Sequence, residues 1–191
     1  MHRLPTRLDG PILFAPAIHG DERGFFHESF RADQLDDLGL GGVAFPQENH
    51  SRSAGGVLRG MHFQVGDGIG KLVRCARGGI YDVVVDLRRG SPTYGEWEGF
   101  ALDDSELRQL WVPVGFAHGF YTLTEIADVL YKQTGYYDAA LERGIAWDDP
   151  EVAIDWPLHA AAPVVSAKDA SAPRLADIAA SLPFVYAAHG T

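Results

Sequence analysis

Residues 80–90 read IYDVVVDLRRG, and their alternation decides the fold class. At a period of two, Tyr81, Val83, Val85 and Leu87 share one face while Asp82 and Asp86 share the other, which is strand patterning rather than helical patterning. Similar short runs, each bounded by Gly, Pro, Ser or Asp, cover residues 25–30, 43–51, 57–64, 71–77, 95–102, 109–112, 116–122 and 128–134. So many short strands separated by turn residues predict an all-β antiparallel sandwich or barrel. Helical patterning is confined to the flanks. FRADQLDDLGL (residues 30–40) fits two to three turns closed by Gly39. Near the C-terminus, Ser171 is expected to cap a helix with Pro173 in its first turn and Leu175, Ile178, Ala179 and Leu182 at helical spacing. LHAAAPVV (residues 158–165) reads as a loop, and with no repeat or low-complexity linker residues 1–191 are expected to form a single domain.

Composition narrows the function classes. The 191 residues are 46% hydrophobic and 22% charged, with a formal net charge of -10. That balance fits a folded, water-exposed domain and disfavours nucleic acid as a partner, since phosphate contacts need a basic face. A small anionic ligand remains compatible, because a few clustered Arg or Lys side chains can make a positive pocket. The single cysteine, Cys75, excludes an internal disulfide and reads as a small buried apolar residue. No apolar run approaches membrane-spanning length, and the chain is expected to be cytoplasmic.

Two segments carry candidate chemistry. WVPVGFAHGFYTL (residues 111–123) holds Pro113, Gly115 and His118 in a P-x-G-x-x-H pattern. In jelly rolls of the cupin kind such a turn enters a strand, and its histidine joins an H-x-H pair to bind metal. Here the corresponding segment is VLRGMHFQ (residues 57–64), where Gln64 stands in place of a second histidine, so the metal set is a ligand short and no metal is expected. His62 is then a candidate general base, because imidazole titrates near neutrality. A lone strand histidine is more often structural, and residue spacing alone favours that bland reading. A geometric problem accompanies it: Arg59 and His62 have opposite parity and would face opposite sides of an ideal strand. Either a bulge at Gly60 realigns them, or they serve different parts of a ligand or different subunits.

DERGFFHESF (21–30), QENHSRS (47–53), VLRGMHFQ, KLVRCARGGIYDVVVDLRRGSPTYGEW (71–97), QLWVPVGFAHGFYTL (109–123), VLYKQTGYYD (129–138), ERGIAWDDP (142–150) and SAKD (166–169) occur in one order along the chain. In order and spacing they resemble the dTDP-4-dehydrorhamnose 3,5-epimerases. The resemblance implies a cupin-type antiparallel jelly-roll barrel with a few short peripheral helices. It also implies a homodimer without metal or organic cofactor, acting on a dTDP-4-keto-6-deoxy sugar. It assigns His62 as base, Asp169 as the carboxylate orienting it, Lys71 as the cation near the enolate oxygen, and Tyr131 as the acid on the opposite face. Arg23 and Arg59 match diphosphate or sugar contacts, where guanidinium geometry suits paired oxygens. Glu28, Gln47, Asn49, His118, Glu142 and Lys168 match further ligand-contact positions, and Tyr137 matches an aromatic that stacks on thymine. Glu48 stands where an aspartate is commoner among the contact positions, and by parity faces away from Gln47 and Asn49. Singly these residues have ordinary explanations: Tyr131 a core aromatic, Lys71 a solvated strand end, Asp169 a cap, and Glu28, Glu142 and Lys168 a wet surface.

The expected reaction inverts C3 and C5 of the substrate by proton transfer through an enolate. An epimerase acting at C3 or C5 alone would keep the same residues. Two other classes compete: a metal-dependent cupin enzyme drawing on His50, His62 and His118, and a non-catalytic nucleotide-sugar binding module.

Overall fold

A computed structural model describes residues 1–187. Its strands are β1 (His2–Leu4), β2 (Ile12–Ala15), β3 (His19–Asp21), β4 (Gly24–Phe26), β5 (Gln47–Ala54), β6 (Leu58–Gln64) and β7 (Lys71–Arg77). They continue as β8 (Gly79–Asp86), β9 (Trp97–Asp103), β10 (Gln109–Val112), β11 (Phe116–Thr122), β12 (Ile126–Gln133) and β13 (Glu142–Gly144). One sheet has the order β1-β2-β10-β7-β12-β5, a second has the order β13-β6-β11-β8-β9, and β3-β4 form a separate hairpin. All named strand pairs are antiparallel. This is the all-β antiparallel architecture that the pattern predicts, and the jelly-roll barrel with short peripheral helices that the resemblance implies. Among the described residues, no helix is long and apolar enough to cross a membrane.

Each of the two large sheets buries apolar side chains on both faces. Ile80, Val84, Phe116 and Phe120 of one sheet meet Val73, Leu110, Ala127 and Val129 of the other in the barrel interior. On the outer face of the second sheet, Val83, Val85 and Tyr121 pack under Trp156, Leu175, Leu182 and Phe184 of the C-terminal segment. On the outer face of the first, Ile12, Phe14, Leu72 and Trp111 pack under Leu35, Leu38 and Leu40. Full burial of each such side chain contributes roughly 1.5–3 kcal/mol. The alternation of IYDVVVDLRRG therefore separates two buried layers, not core from water. Asp82 and Asp86 are both 0% exposed and survive there only because each is paired. Asp86 accepts from Arg88 Nη2 at 2.8 Å, Ser91 Oγ at 2.6 Å and Thr93 Oγ1 at 2.8 Å, while Asp82 faces His118.

Several elements differ from expectation. The run over 25–30 forms strand only as far as Phe26, and the run over 43–51 begins pairing at Gln47, directly after Pro46, which has no N–H to give a ladder. Strands β1, β2, β3 and β13 span three or four residues, too few to display a period. FRADQLDDLGL forms a 3-10 helix, Ala32–Leu38, closed by Gly39 at φ 76. Ser171 does not cap a long helix: it ends α1 (Ala167–Ala170), and the next turn, α2 (Leu175–Ile178), starts only after Arg174. Two carboxylates mark that start: Asp149 accepts from Leu175 N at 2.7 Å and Asp177 from Arg174 N at 3.3 Å. The 158–165 segment is a loop in which Val164 bridges Val57 in parallel.

Candidate active site

At the barrel mouth a cavity of about 640 Å³ is lined from both sheets, a size suited to a small-molecule ligand. From the first sheet come Gln47 and Asn49 of β5, Lys71 of β7 and Tyr131 of β12. From the second come Arg59 and His62 of β6, His118 of β11 and Glu142 of β13. Tyr137 follows β12, and Lys168 and Asp169 enter from α1. His62 and Tyr131 thus stand on opposite walls.

Gly60 settles the parity problem on β6. The pairing of β6 with β11 matches His62 to His118 but Arg59 to Phe120, so three steps on β6 oppose two on β11. This bulge turns Arg59 toward the same cavity as His62. Gly60 has φ 130, and the peptide that follows it is cis. A Cβ there would lie 2.5 Å from Gly119 Cα, so only glycine fits against the neighbouring strand. Arg59 is then steadied by a 2.9 Å bond from its Nε to Ser53 Oγ.

His62 Nε2 lies 2.6 Å from Asp169 Oδ1. A carboxylate only accepts, so the shared proton belongs to Nε2 and Nδ1 is left as the basic nitrogen. Asp169 is 5% exposed. Burial alone would raise its carboxyl, but the bond and charge of His62, with Ser166 and Gly60 N, hold it below the usual carboxylate range. The carboxylate is delivered by a single turn whose N-cap, Ser166 Oγ, accepts from Asp169 N at 3.1 Å.

Lys71 is half-buried, and desolvation lowers its ammonium to about 8, partly opposed by the charges of Asp82 and Glu142. Burial also raises the Tyr131 phenol, against an opposing bond from Asn49 and the charge of Arg59, so the phenol keeps its proton at neutral pH. His118 Nε2 lies 2.9 Å from both oxygens of Asp82. Desolvation nonetheless lowers His118 below the ordinary imidazole range, despite the raising effect of Asp82, which favours a neutral ring beside Lys71. Amide side chains fix the wall behind Tyr131: Gln47 Nε2 donates to Asn49 Oδ1 at 2.9 Å, and Asn49 Nδ2 to Gln133 Oε1 at 3.0 Å.

Three sequence candidates lie outside this cavity. Arg23, in the β3-β4 turn, pairs with Asp21 and is 85% exposed in its side chain. Glu28 accepts from Gln34 at 3.0 Å and from Arg31 at 3.3 Å. Glu48 faces away, as its parity predicts, and lies 3.1 Å from Lys132 Nζ. The metal-cupin alternative grouped His50 with His62 and His118, but each histidine faces its own carboxylate, and His50 bonds Asp128 on the outer side of β5. Among the described residues, no three His, Cys, Asp or Glu side chains converge as metal ligands.

Asp82 is a functional candidate that the sequence reading passed over. Its parity with Ile80 and Val84 was the available signal, since a carboxylate among interior positions of a buried strand requires a partner. The β8-β11 register supplies it: Asp82 opposes Phe120 and Val84 opposes His118, which makes Asp82 and His118 diagonal neighbours.

The pattern of the dTDP-4-dehydrorhamnose 3,5-epimerase family matches residues 5–177. A dTDP-4-dehydrorhamnose 3,5-epimerase of Pseudomonas aeruginosa is 51% identical over 174 residues, covering 90% of this chain and 96% of that protein. The dTDP-6-deoxy-D-glucose-3,5-epimerase of Legionella pneumophila, solved in complex with dTDP-4-keto-L-rhamnose, superposes with a TM-score of 0.93 at 46% identity, covering 98% and 99% of the two chains. A 3'-monoepimerase from Streptomyces bikiniensis, solved with dTDP-quinovose, is more distant: TM-score 0.86 and 35% identity, covering 93% and 89%. With the family pattern spanning most of its length and such relatives along nearly all of it, the chain belongs to the dTDP-4-dehydrorhamnose 3,5-epimerase family.

Proposed function

We propose that this protein inverts C3 and C5 of dTDP-4-dehydro-6-deoxy-D-glucose to give dTDP-4-dehydro-L-rhamnose, as a cytoplasmic homodimer needing neither metal nor organic cofactor. The observation that carries the reading is the placement of the His62–Asp169 pair and Tyr131 on opposite walls of one cavity, with Lys71 lining it. Hydrogens at C3 and C5 are acidic because they flank the C4 ketone. Nδ1 of His62 takes one as a proton, and the bonding pair moves toward the carbonyl to make an enolate. The Lys71 ammonium lies in the same cavity to meet the developing oxyanion, where a preorganised charge lowers the barrier most. Tyr131 then gives its phenolic proton to the opposite face of the carbon, and the centre is inverted. Arg59 holds the diphosphate and Tyr137 offers its ring to the base.

Dimerisation is supported by the β3-β4 hairpin, where Phe25 is 59% and Phe26 68% exposed. Arg23 and Glu28, which the resemblance assigns to ligand contact, lie outside their own subunit's cavity and would reach ligand from a second copy. The deciding experiment incubates the protein with the 4-keto sugar nucleotide in deuterated water without added metal. Deuterium at both C3 and C5 is expected; deuterium at one carbon identifies a mono-epimerase, and none at either rejects the reading.

A further inference from the structure

We propose that the Tyr137–Glu142–Lys168 chain is a positioning device that turns nucleobase binding into alignment of the His62–Asp169 pair; this rests on the epimerase reading above. Tyr137 Oη donates to Glu142 Oε2 at 2.7 Å, and Lys168 Nζ donates to the same oxygen. Both ends of the ion pair adjoin the base. Glu142 opens β13, whose Gly144 is paired directly with His62. Lys168 precedes Asp169 in α1, a single turn of four residues. The turn's other anchors are Val164 ahead of it, bonded to Leu58 N and Gly56 O at 2.9 Å each, Pro173 behind it, whose O accepts from Ala146 N at 2.8 Å, and the Asp169 carboxylate itself.

The pair is weak until something covers it. The Lys168 side chain is 54% exposed and that of Glu142 19%, and an ion pair open to water contributes little. Tyr137 is 47% exposed, with its hydroxyl already engaged by Glu142 and its backbone N fixed to Gln47 Oε1 at 2.9 Å. A base stacked on that ring screens the Glu142–Lys168 contact from water and strengthens it. The gain falls on the turn that carries Asp169. Binding energy from a part of the substrate remote from the reaction is thereby used at the reacting centre, and by linkage an aligned turn binds the base more tightly.

The test compares the full substrate with a truncated one, the same keto sugar carried on a bare diphosphate, with deuterium incorporation reporting turnover. Wild-type protein is expected to lose kcat by about tenfold or more on the truncated substrate, beyond any rise in KM. Lys168→Met is expected to show that lower kcat on both substrates, and Lys168→Arg to restore the difference. An unchanged kcat in Lys168→Met, with only KM raised, overturns the proposal and makes Lys168 a plain ligand contact. A second reading uses no turnover: the downfield Nε2 proton of His62 by NMR. dTDP is expected to sharpen it in wild type and not in Lys168→Met, and pyrophosphate in neither; an equal dTDP response in both proteins also overturns the proposal. Loss of all deuterium exchange in wild type rejects the epimerase reading instead, and the dTDP response still judges the ion pair.

Discussion

His62 and Asp169 are 107 residues apart in the chain, and Nε2 and Oδ1 meet at 2.6 Å. The pairing fixes one tautomer, so Asp169→Asn tests the tautomer and not merely the contact. An asparagine can donate to Nε2 and leave the proton on Nδ1, the nitrogen that must be free. Turnover is expected to fall by about 10²–10⁴-fold, with KM nearly unchanged, as in other histidine–carboxylate pairs. Steady-state kinetics on the keto sugar nucleotide check it, and wild-type kcat would show that His62 needs no orienting carboxylate.

The opposed walls predict that His62 and Tyr131 fail differently. Both His62→Asn and Tyr131→Phe are expected to lower net epimerisation by at least about a hundredfold. Only the first should abolish exchange. In Tyr131→Phe the base still removes a proton and can return deuterium from the same face, so label enters without inversion. Mass and proton spectra of recovered substrate separate the two cases, and label missing in Tyr131→Phe would mean that Tyr131 is needed before the enolate forms.

Lys71 sets an alkaline limit. Its ammonium, lowered to about 8 by burial, is charged below that pH and neutral above it, so its stabilisation of the enolate is lost as pH rises through about 8. The expected profile of kcat/KM falls on the alkaline side near that value, far below where an ordinary lysine would titrate. Asp82→Asn removes a carboxylate that raises the Lys71 pKa and should move the limb to lower pH. A profile flat beyond pH 9 would remove Lys71 from this role.

The sequence made the barrel legible wherever a strand was long enough to repeat. IYDVVVD, LRGMHFQ and KLVRCAR all lie within strands of seven or eight residues. It hid β13, only three residues long, and with it the reason Glu142 stands beside His62. The resemblance located His62, Lys71, Tyr131 and Asp169 without revealing which of their neighbours hold them. Asp82 was missed because a polar residue alternating with valines looks like a wet face, and only the second buried layer shows otherwise. The C-terminal cap was misplaced because the turn starts where Asp177 accepts from Arg174 N and where Asp149, a partner too distant in sequence to be seen, accepts from Leu175 N.

Gly60 is where sequence and geometry disagreed most plainly, and where one methyl group gives the sharpest test. Strand parity sends Arg59 and His62 apart; the bulge at Gly60 brings them to one cavity. In Gly60→Ala the added Cβ would sit 2.5 Å from Gly119 Cα, against backbone that has no flexible end to yield, and φ 130 is itself unfavourable for an L side chain. Strand β6 must therefore shift, costing about 1–3 kcal/mol from the backbone conformation alone, before the clash is counted. Thermal denaturation should show a lowered midpoint, and the protein that remains folded should lose turnover, since His62 can no longer keep both Asp169 and the shared cavity. Arg59→Ala provides the contrast: with the bulge intact it is expected to raise KM while leaving deuterium exchange at saturating substrate near the wild-type rate. If Gly60→Ala instead behaves like Arg59→Ala, the bulge serves ligand binding alone and the base is positioned without it.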